Sequence, residues 1–246
     1  MTSTSCSDEN FTSKTKRRLI PSRLLPIILI FVFFFIGITV LCYPFISNYI
    51  NTLHSSQVIE QLEQALENAD DKELNYQRKL AELYNESLRN TGENVSCPYN
   101  YEDILSFPGG IMGYLDIPSI NIHLPIYHGT GEDALAKGVG HLPDTAFPIG
   151  GKGNHSVLTG HTGLPSAKLF TDLTKLGMGD LFTVHILGKT LTYQVDQITI
   201  VLPSAVDELL PVAEADYCTL VTCTPYGVNS HRLLVRGRRI LTDSDE

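Results

Sequence analysis

The chain has 246 residues, 43% hydrophobic, 18% charged and 9% aromatic, with 18 Lys and Arg against 27 Asp and Glu for a net charge of −9. That length can bury a sizeable core, and the ordinary content of 19 Gly and 13 Pro excludes collagen-like and wholly disordered chains. The acidic balance excludes a generic nucleic-acid binder, which needs basic patches, and five scattered Cys do not make a disulfide framework.

The first 23 residues form a basic arm. Five of the 18 basic residues (Lys14, Lys16, Arg17, Arg18, Arg23) and only Asp8 and Glu9 of the 27 acidic ones lie there, which leaves −12 on the remainder. Residues 24–47 follow without a charge, rich in Phe, Ile and Leu. About 20 apolar residues cross the hydrocarbon core of a bilayer, so this run is expected to be a transmembrane anchor. A cleaved signal peptide is the main rival. The run exceeds the usual 7–15-residue signal core, and Leu41-Cys42-Tyr43 is not a small-residue cleavage site. The basic arm places the N-terminus in the cytoplasm and the rest outside, as a single-pass protein of the cell membrane.

Residues 48–89 are expected to hold N-terminal helices. Ile59, Leu62, Leu66 and Ala69 share one face, and Tyr76, Leu80, Leu83 and Tyr84 continue it at three-to-four spacing. Asp70 with Glu73 resembles a capping box, which predicts a break near 68–71. Residues 90–108 begin with turn chemistry and read as a linker or lid-like segment. Asn-x-Ser/Thr sequons stand at Asn10, Asn85, Asn94 and Asn154, with little information in them.

Residues 109–241 change texture to short alternating apolar segments punctuated by Gly and Pro. Strands are expected at 111–117, 122–127, 156–159, 180–187, 190–202, 216–223 and 232–240, with helical turns at 134–137 and 167–173. Seven or more short strands favour a mainly β barrel or sandwich. Two segments carry chemistry. In Leu158-Thr159-Gly160-His161-Thr162-Gly163, a histidine follows a strand between glycines. In the stretch from Thr219 to Gly227, Cys223 ends a strand, and Arg232 stands nine positions later in the next one. A thiolate attacks a carbonyl, nearby cations lower a thiol pKa, and an arginine can steady an oxyanion, so Cys, His and Arg make an acyl-transfer set if the fold joins them. The bland readings are a buried strand cysteine, which Cys218 is expected to be on the face opposite Cys223, structural histidines at His128, His141, His155, His185 and His231, and a surface arginine.

TLVTC at 219–223, Arg232 in NSHRLLVRGRR and the upstream TGHTGLPSAKLF around His161 together resemble the sortase family, membrane-anchored cysteine transpeptidases of Gram-positive bacteria. GYLDIPSINIHLPIYHGT (113–130) and KGVGHLPDT (137–145) are similar to its class C, pilus-assembling branch. The resemblance implies an eight-stranded sortase-type β-barrel preceded by a transmembrane helix and two amphipathic helices. It implies Cys223 as nucleophile, His161 as general acid and base, and Arg232 as the substrate-positioning, oxyanion-stabilising residue. The implied reaction cleaves an LPxTG-like sorting signal through a thioester and transfers it to a pilin Lys amine. No metal or organic cofactor is implied. The implied partners are pilins or surface proteins bearing such signals and the membrane, with no nucleic acid and a monomeric catalytic domain.

Two departures stand out. Class C members carry an Asp-Pro-aromatic lid, for which the nearest match is Cys97-Pro98-Tyr99; either the lid is absent or Cys97 replaces the Asp, close to Cys223. Many also have a second span after the barrel, whereas LTDSDE follows here, so the expected tether is N-terminal. The alternative readings are a wall-anchoring sortase that uses a peptidoglycan-precursor amine and, less well supported, a non-enzymatic adhesion protein.

Overall fold

The computed structural model describes residues 24–89, 99–205 and 207–241. The chain divides into two compact units, Met1–Cys42 and Tyr43–Glu246. In the first unit the described residues lie in the opening turns of helix α1 (Leu25–Glu67), with apolar side chains such as Phe31, Phe33 and Phe35 exposed. This helix is long and apolar enough to cross a membrane. The anchor and first amphipathic helix, expected as separate elements, are continuous. Pro44 lies inside α1, and no stronger break follows before Asn68.

In the second unit, α1 ends at Glu67 and α2 (Asp71–Arg89) begins after a three-residue break. The Asp70 carboxylate accepts the Lys72 N–H at 3.3 Å, satisfying an orphan donor of the first turn. Glu73 does not return the bond; its carboxylate instead accepts from Gln77 one turn on, at 3.2 Å. Of the expected faces, Ile59 and Leu62 on α1 and Leu80 and Tyr84 on α2 are at most 8% exposed, and Leu66, Ala69 and Leu83 are half-buried. Tyr76 is exposed, because Leu74, two residues earlier and so on the other side of α2, is the one that packs on the core.

Eight strands form a closed barrel in the order β1-β2-β3-β4-β7-β8-β6-β5. They are β1 (Ile111–Ile117), β2 (Ile122–His128), β3 (Val139–His141), β4 (Asn154–Thr159), β5 (Leu181–Ile186), β6 (Lys189–Val201), β7 (Asp216–Thr224) and β8 (His231–Arg239). Neighbours are antiparallel except at β2–β3 and β4–β7, which pair in parallel. Seven strands match the expected segments within two residues at either end. The eighth, β3, has three residues and is too short to show a period. The helical turn expected at 134–137 is α3 (Glu132–Lys137), while 167–173 forms turns that end in a 3-10 turn, Leu173–Lys175.

Alternate residues fill the barrel: Leu115 and Ile117, Leu158, Phe182 and Val184, Cys218 and Leu220, Leu233 and Val235 all belong to one apolar core. The segment before β1 joins it. Ile104 and Leu105 are fully buried, and the Tyr101 ring stacks on Phe147 and His141. Helix α2 is bolted on by Asn85, 1% exposed, whose amide donates to the Phe147 carbonyl at 3.0 Å and accepts its N–H at 2.7 Å. That position is one of the four sequons, and so is Asn154, 4% exposed; Asn10 and Asn94 lie outside the described residues.

Candidate active site

Strand alternation places two cysteines in different surroundings. Cys218 points into the core, where burial pushes its thiol pKa well up and leaves it inert. Cys223, five residues on, faces outward and is partly exposed. On that outer face Val157 and Thr159 of β4, Val221 and Cys223 of β7, and Arg232 and Leu234 of β8 line a groove of about 460 Å³. The segment after β6 supplies one wall through Leu202, Pro203 and Leu209, and Leu135 and Leu142 line it as well.

His161 reaches the same groove because of the parallel β4–β7 pairing. The ladder runs to Thr159 opposite Val221, and continues as Gly160 N–H donating to the Val221 carbonyl at 3.1 Å. The Thr222 hydroxyl then donates to the Gly160 carbonyl at 2.7 Å. Two positions beyond Thr159 is His161, and two beyond Val221 is Cys223. The chain then turns away, fixed by Phe170 N–H on the His161 carbonyl at 3.0 Å and Gly163 N–H on the Thr171 hydroxyl at 3.0 Å. Gly160 is needed here, since a Cβ would lie 2.8 Å from the Phe170 ring.

Arg232 is the cross-strand partner of Cys223 in the antiparallel β7–β8 pair. Facing residues in such a pair hold their side chains on one face with Cβ atoms about 5 Å apart. The Arg232 guanidinium donates to the Asn229 and His231 carbonyls, at 3.2 and 3.1 Å. The three residues expected to carry the chemistry therefore line one groove.

Of the lid-like motif, Cys97 and Pro98 lie outside the described residues, and Tyr99 is exposed beside Tyr76. The sequence reading missed Thr222, which is 2% exposed and ties the Cys223 and His161 segments together. Its place inside TLVTC was the available signal. The reading also missed the apolar wall at Leu202 and Leu209. Of the other histidines, His141 and His155 are buried among hydrogen bonds, and His123 and His185 flank Asp116 outside the groove. Among the described residues no group of three or more His, Cys, Asp or Glu side chains is arranged to hold a metal ion.

The Sortase domain model matches residues 115–240. The chain is similar to the crystal structure of Streptococcus agalactiae sortase C1 in complex with MTSET, at 41% identity and TM-score 0.71, covering 76% of this chain and all (100%) of that one. It is similar to sortase C-1 of Streptococcus pneumoniae at 42% identity and TM-score 0.69, covering 76% and 99%. Sortase C from Clostridium perfringens SM101 gives 44% identity and TM-score 0.67, again covering 76% and 99%. Sortase D of Bacillus subtilis is 28% identical over 165 residues, 66% of this chain and 80% of that protein. The matched segment holds half of the chain, seven of its eight strands complete and all three groove residues, and so the chain belongs to the sortase family of cysteine transpeptidases, with its structural likeness to the class C branch.

Proposed function

We propose that this protein is a membrane-anchored transpeptidase that cleaves an LPxTG-like sorting signal and joins it to a pilin Lys amine. The observation that carries the reading is the convergence of Cys223, His161 and Arg232 on one groove with an apolar floor and wall. An extended peptide whose apolar residues rest on Val157, Val201, Leu209 and Leu234 would present its scissile carbonyl to Cys223.

The thiolate of Cys223 attacks the Thr carbonyl carbon of the signal, and the Arg232 guanidinium stabilises the tetrahedral oxyanion. The Thr–Gly bond breaks as His161 gives its proton to the departing Gly amine, leaving a thioester on Cys223. A Lys amine then attacks the thioester carbon and gives a proton to His161. Collapse of the second tetrahedral intermediate forms an isopeptide bond and returns the Cys223 thiolate. The apolar part of α1 holds the enzyme in the membrane, with the basic arm 1–23 on the cytoplasmic side and the barrel outside. Likeness to sortase C structures, among them sortase C1 of GBS Pilus Island 1, supports a pilin acceptor over a peptidoglycan-precursor amine.

The test uses the full chain in detergent with an LPxTG-type peptide and a Cys223→Ala control. Intact mass is expected to show an acyl-enzyme in the wild type only, resolved by a Lys-bearing pilin domain. Resolution only by a peptidoglycan stem peptide would move the reading to wall anchoring. No adduct under reducing conditions would overturn it.

A further inference from the structure

Cys223 near the end of β7 and Arg232 near the start of β8 flank the turn between those strands, and the turn's backbone sets how that arginine is held. A guanidinium has five N–H donors, two of them on Nη1. In Arg232, Nη1 donates to the Asn229 carbonyl at 3.2 Å and to the His231 carbonyl at 3.1 Å. Those two acceptors saturate Nη1 and fix rotation of the group. Nε and Nη2 carry no hydrogen bond to described residues, and both acceptors are neutral.

Arg236, four residues on along β8, shows the other way to hold a guanidinium. Its Nε and Nη2 both donate to the Asp196 carboxylate, at 2.9 and 3.0 Å. That pairing occupies the fork and neutralises the charge, which would disable an oxyanion donor. Arg232 keeps both its fork and its charge for whatever enters the groove.

The Asn229 carbonyl reaches Nη1 because of the local backbone. Asn229 has φ +58°, in the left-handed region, after Gly227 at +75°. Its N–H and that of Val228 both donate to the Pro225 carbonyl, at 2.9 and 3.1 Å, closing the turn. Asn is among the few non-glycine residues that enter this region readily, and a β-branched residue there would force the peptide plane to turn.

We propose that Asn229 is a positioning residue for Arg232: its left-handed backbone aims a carbonyl that, with that of His231, fills Nη1 and leaves Nε and Nη2 as the donors that meet the developing oxyanion. The inference rests on the acyl-transfer reading above. It concerns the Asn229 backbone, so its side chain is dispensable wherever the left-handed conformation survives.

The test compares Asn229→Gly, Asn229→Val, Arg232→Ala and the Asn229→Val/Arg232→Ala double variant, as full chains in detergent, with thermal melting as a folding control. Single-turnover acylation by the sorting-signal peptide is one readout. The other needs no substrate: the profile of Cys223 alkylation by anionic iodoacetate against neutral iodoacetamide, read by peptide mass, which reports the positive charge presented to the groove. Asn229→Gly is expected to stay within about twofold of wild type, whereas Asn229→Val slows acylation by about tenfold at saturating peptide with little change in KM. Asn229→Val is also expected to move the alkylation profile toward that of Arg232→Ala, and to have no further effect in the Arg232→Ala background. An equal loss in that background, or a loss in Asn229→Gly as large as in Asn229→Val, overturns the proposal. If the wild type alkylates normally but forms no acyl-enzyme, the transpeptidase reading fails, and the alkylation profiles still decide whether Asn229 positions Arg232.

Discussion

The buried hydroxyl of Thr222 donates to the Gly160 carbonyl at 2.7 Å, and each partner directly precedes a catalytic candidate, Cys223 and His161 respectively. The bond lies where the parallel β4–β7 ladder ends, so it carries the strand register into the groove. Thr222→Val keeps the shape but strands a buried carbonyl, which costs about 1–3 kcal/mol. Acylation is expected to fall by about tenfold or more, because the imidazole and thiol lose their fixed separation. Thr222→Ser is expected to retain most of the activity. Melting curves and single-turnover acylation on the three proteins check this; a Thr222→Val enzyme with unimpaired acylation contradicts it.

Gly163, in the loop after His161, has φ +75°, and a Cβ there would lie 2.7 Å from the Tyr226 ring. Two effects oppose an alanine, and the magnitudes separate them. Tyr226 is 70% exposed and can swing aside, so the clash is cheap. The left-handed backbone cannot be relieved that way and costs about 1–2 kcal/mol. Gly163→Ala is therefore expected to lower stability by about that amount, and adding Tyr226→Ala is expected not to restore it. Chemical denaturation of the single and double variants measures both terms.

Asn85 matches a glycosylation sequon in sequence, yet it works as a bracket inside the protein. Both ends of its amide bond the Phe147 backbone, and its neighbour Tyr84 packs on the Phe147 ring with centroids 4.8 Å apart. Asn85→Ala leaves the buried Phe147 N–H without a partner, while the Phe147 carbonyl keeps the Ile149 N–H at 2.8 Å, for a loss of about 1–3 kcal/mol. A melting temperature lower by several degrees is the expected readout. The folded protein is expected to carry no glycan at Asn85, which peptide mass mapping after expression in a glycosylating host would show.

Three histidines are held neutral by burial. His141 is completely buried, with its pKa pushed down to about 4; its Nε2–H donates to the Ala146 carbonyl and its Nδ1 accepts from the Tyr101 hydroxyl, both at 2.9 Å. Burial also lowers His128 and His155. A histidine whose folded pKa is depressed contributes stability that is complete above its unfolded value near 6.5 and is lost as pH falls toward the folded value. His123 opposes them, since its bond to Asp116 raises its pKa and adds stability on the acid side. Asp216 opposes them too, since burial raises its carboxyl to about 6 and its protonation adds stability below that pH. In Asp216→Asn, where that group no longer titrates, a net loss is expected between pH 6.5 and 5, with up to ~3 kcal/mol from His141 on going toward pH 4. Urea denaturation of that variant at pH 7.5, 6.5 and 5 tests it, above the range where most carboxylates titrate; unchanged stability across that span would contradict the assignment.

Features that depend on near neighbours are legible in the chain alone. An uncharged apolar run marked the opening of α1, alternation marked seven strands and their inner faces, and TLVTC, TGH and the following arginine named the three groove residues. The features missed share a cause. Strand β3 has three residues and exists because the edges of β2 and β4 pair with it, so it shows no period of its own. Asn85 looks like a surface sequon because nothing near it in sequence reveals Phe147, 62 residues away. Only the tertiary structure placed Thr222 against Gly160, also 62 residues apart, and only the left-handed turn at Asn229 fixed what Arg232 donates to. Strand faces follow from a two-residue repeat that any short window displays. The meeting of His161 and Cys223 depends on a parallel pairing whose hydrogen bonds join distant segments, and no local pattern encodes it.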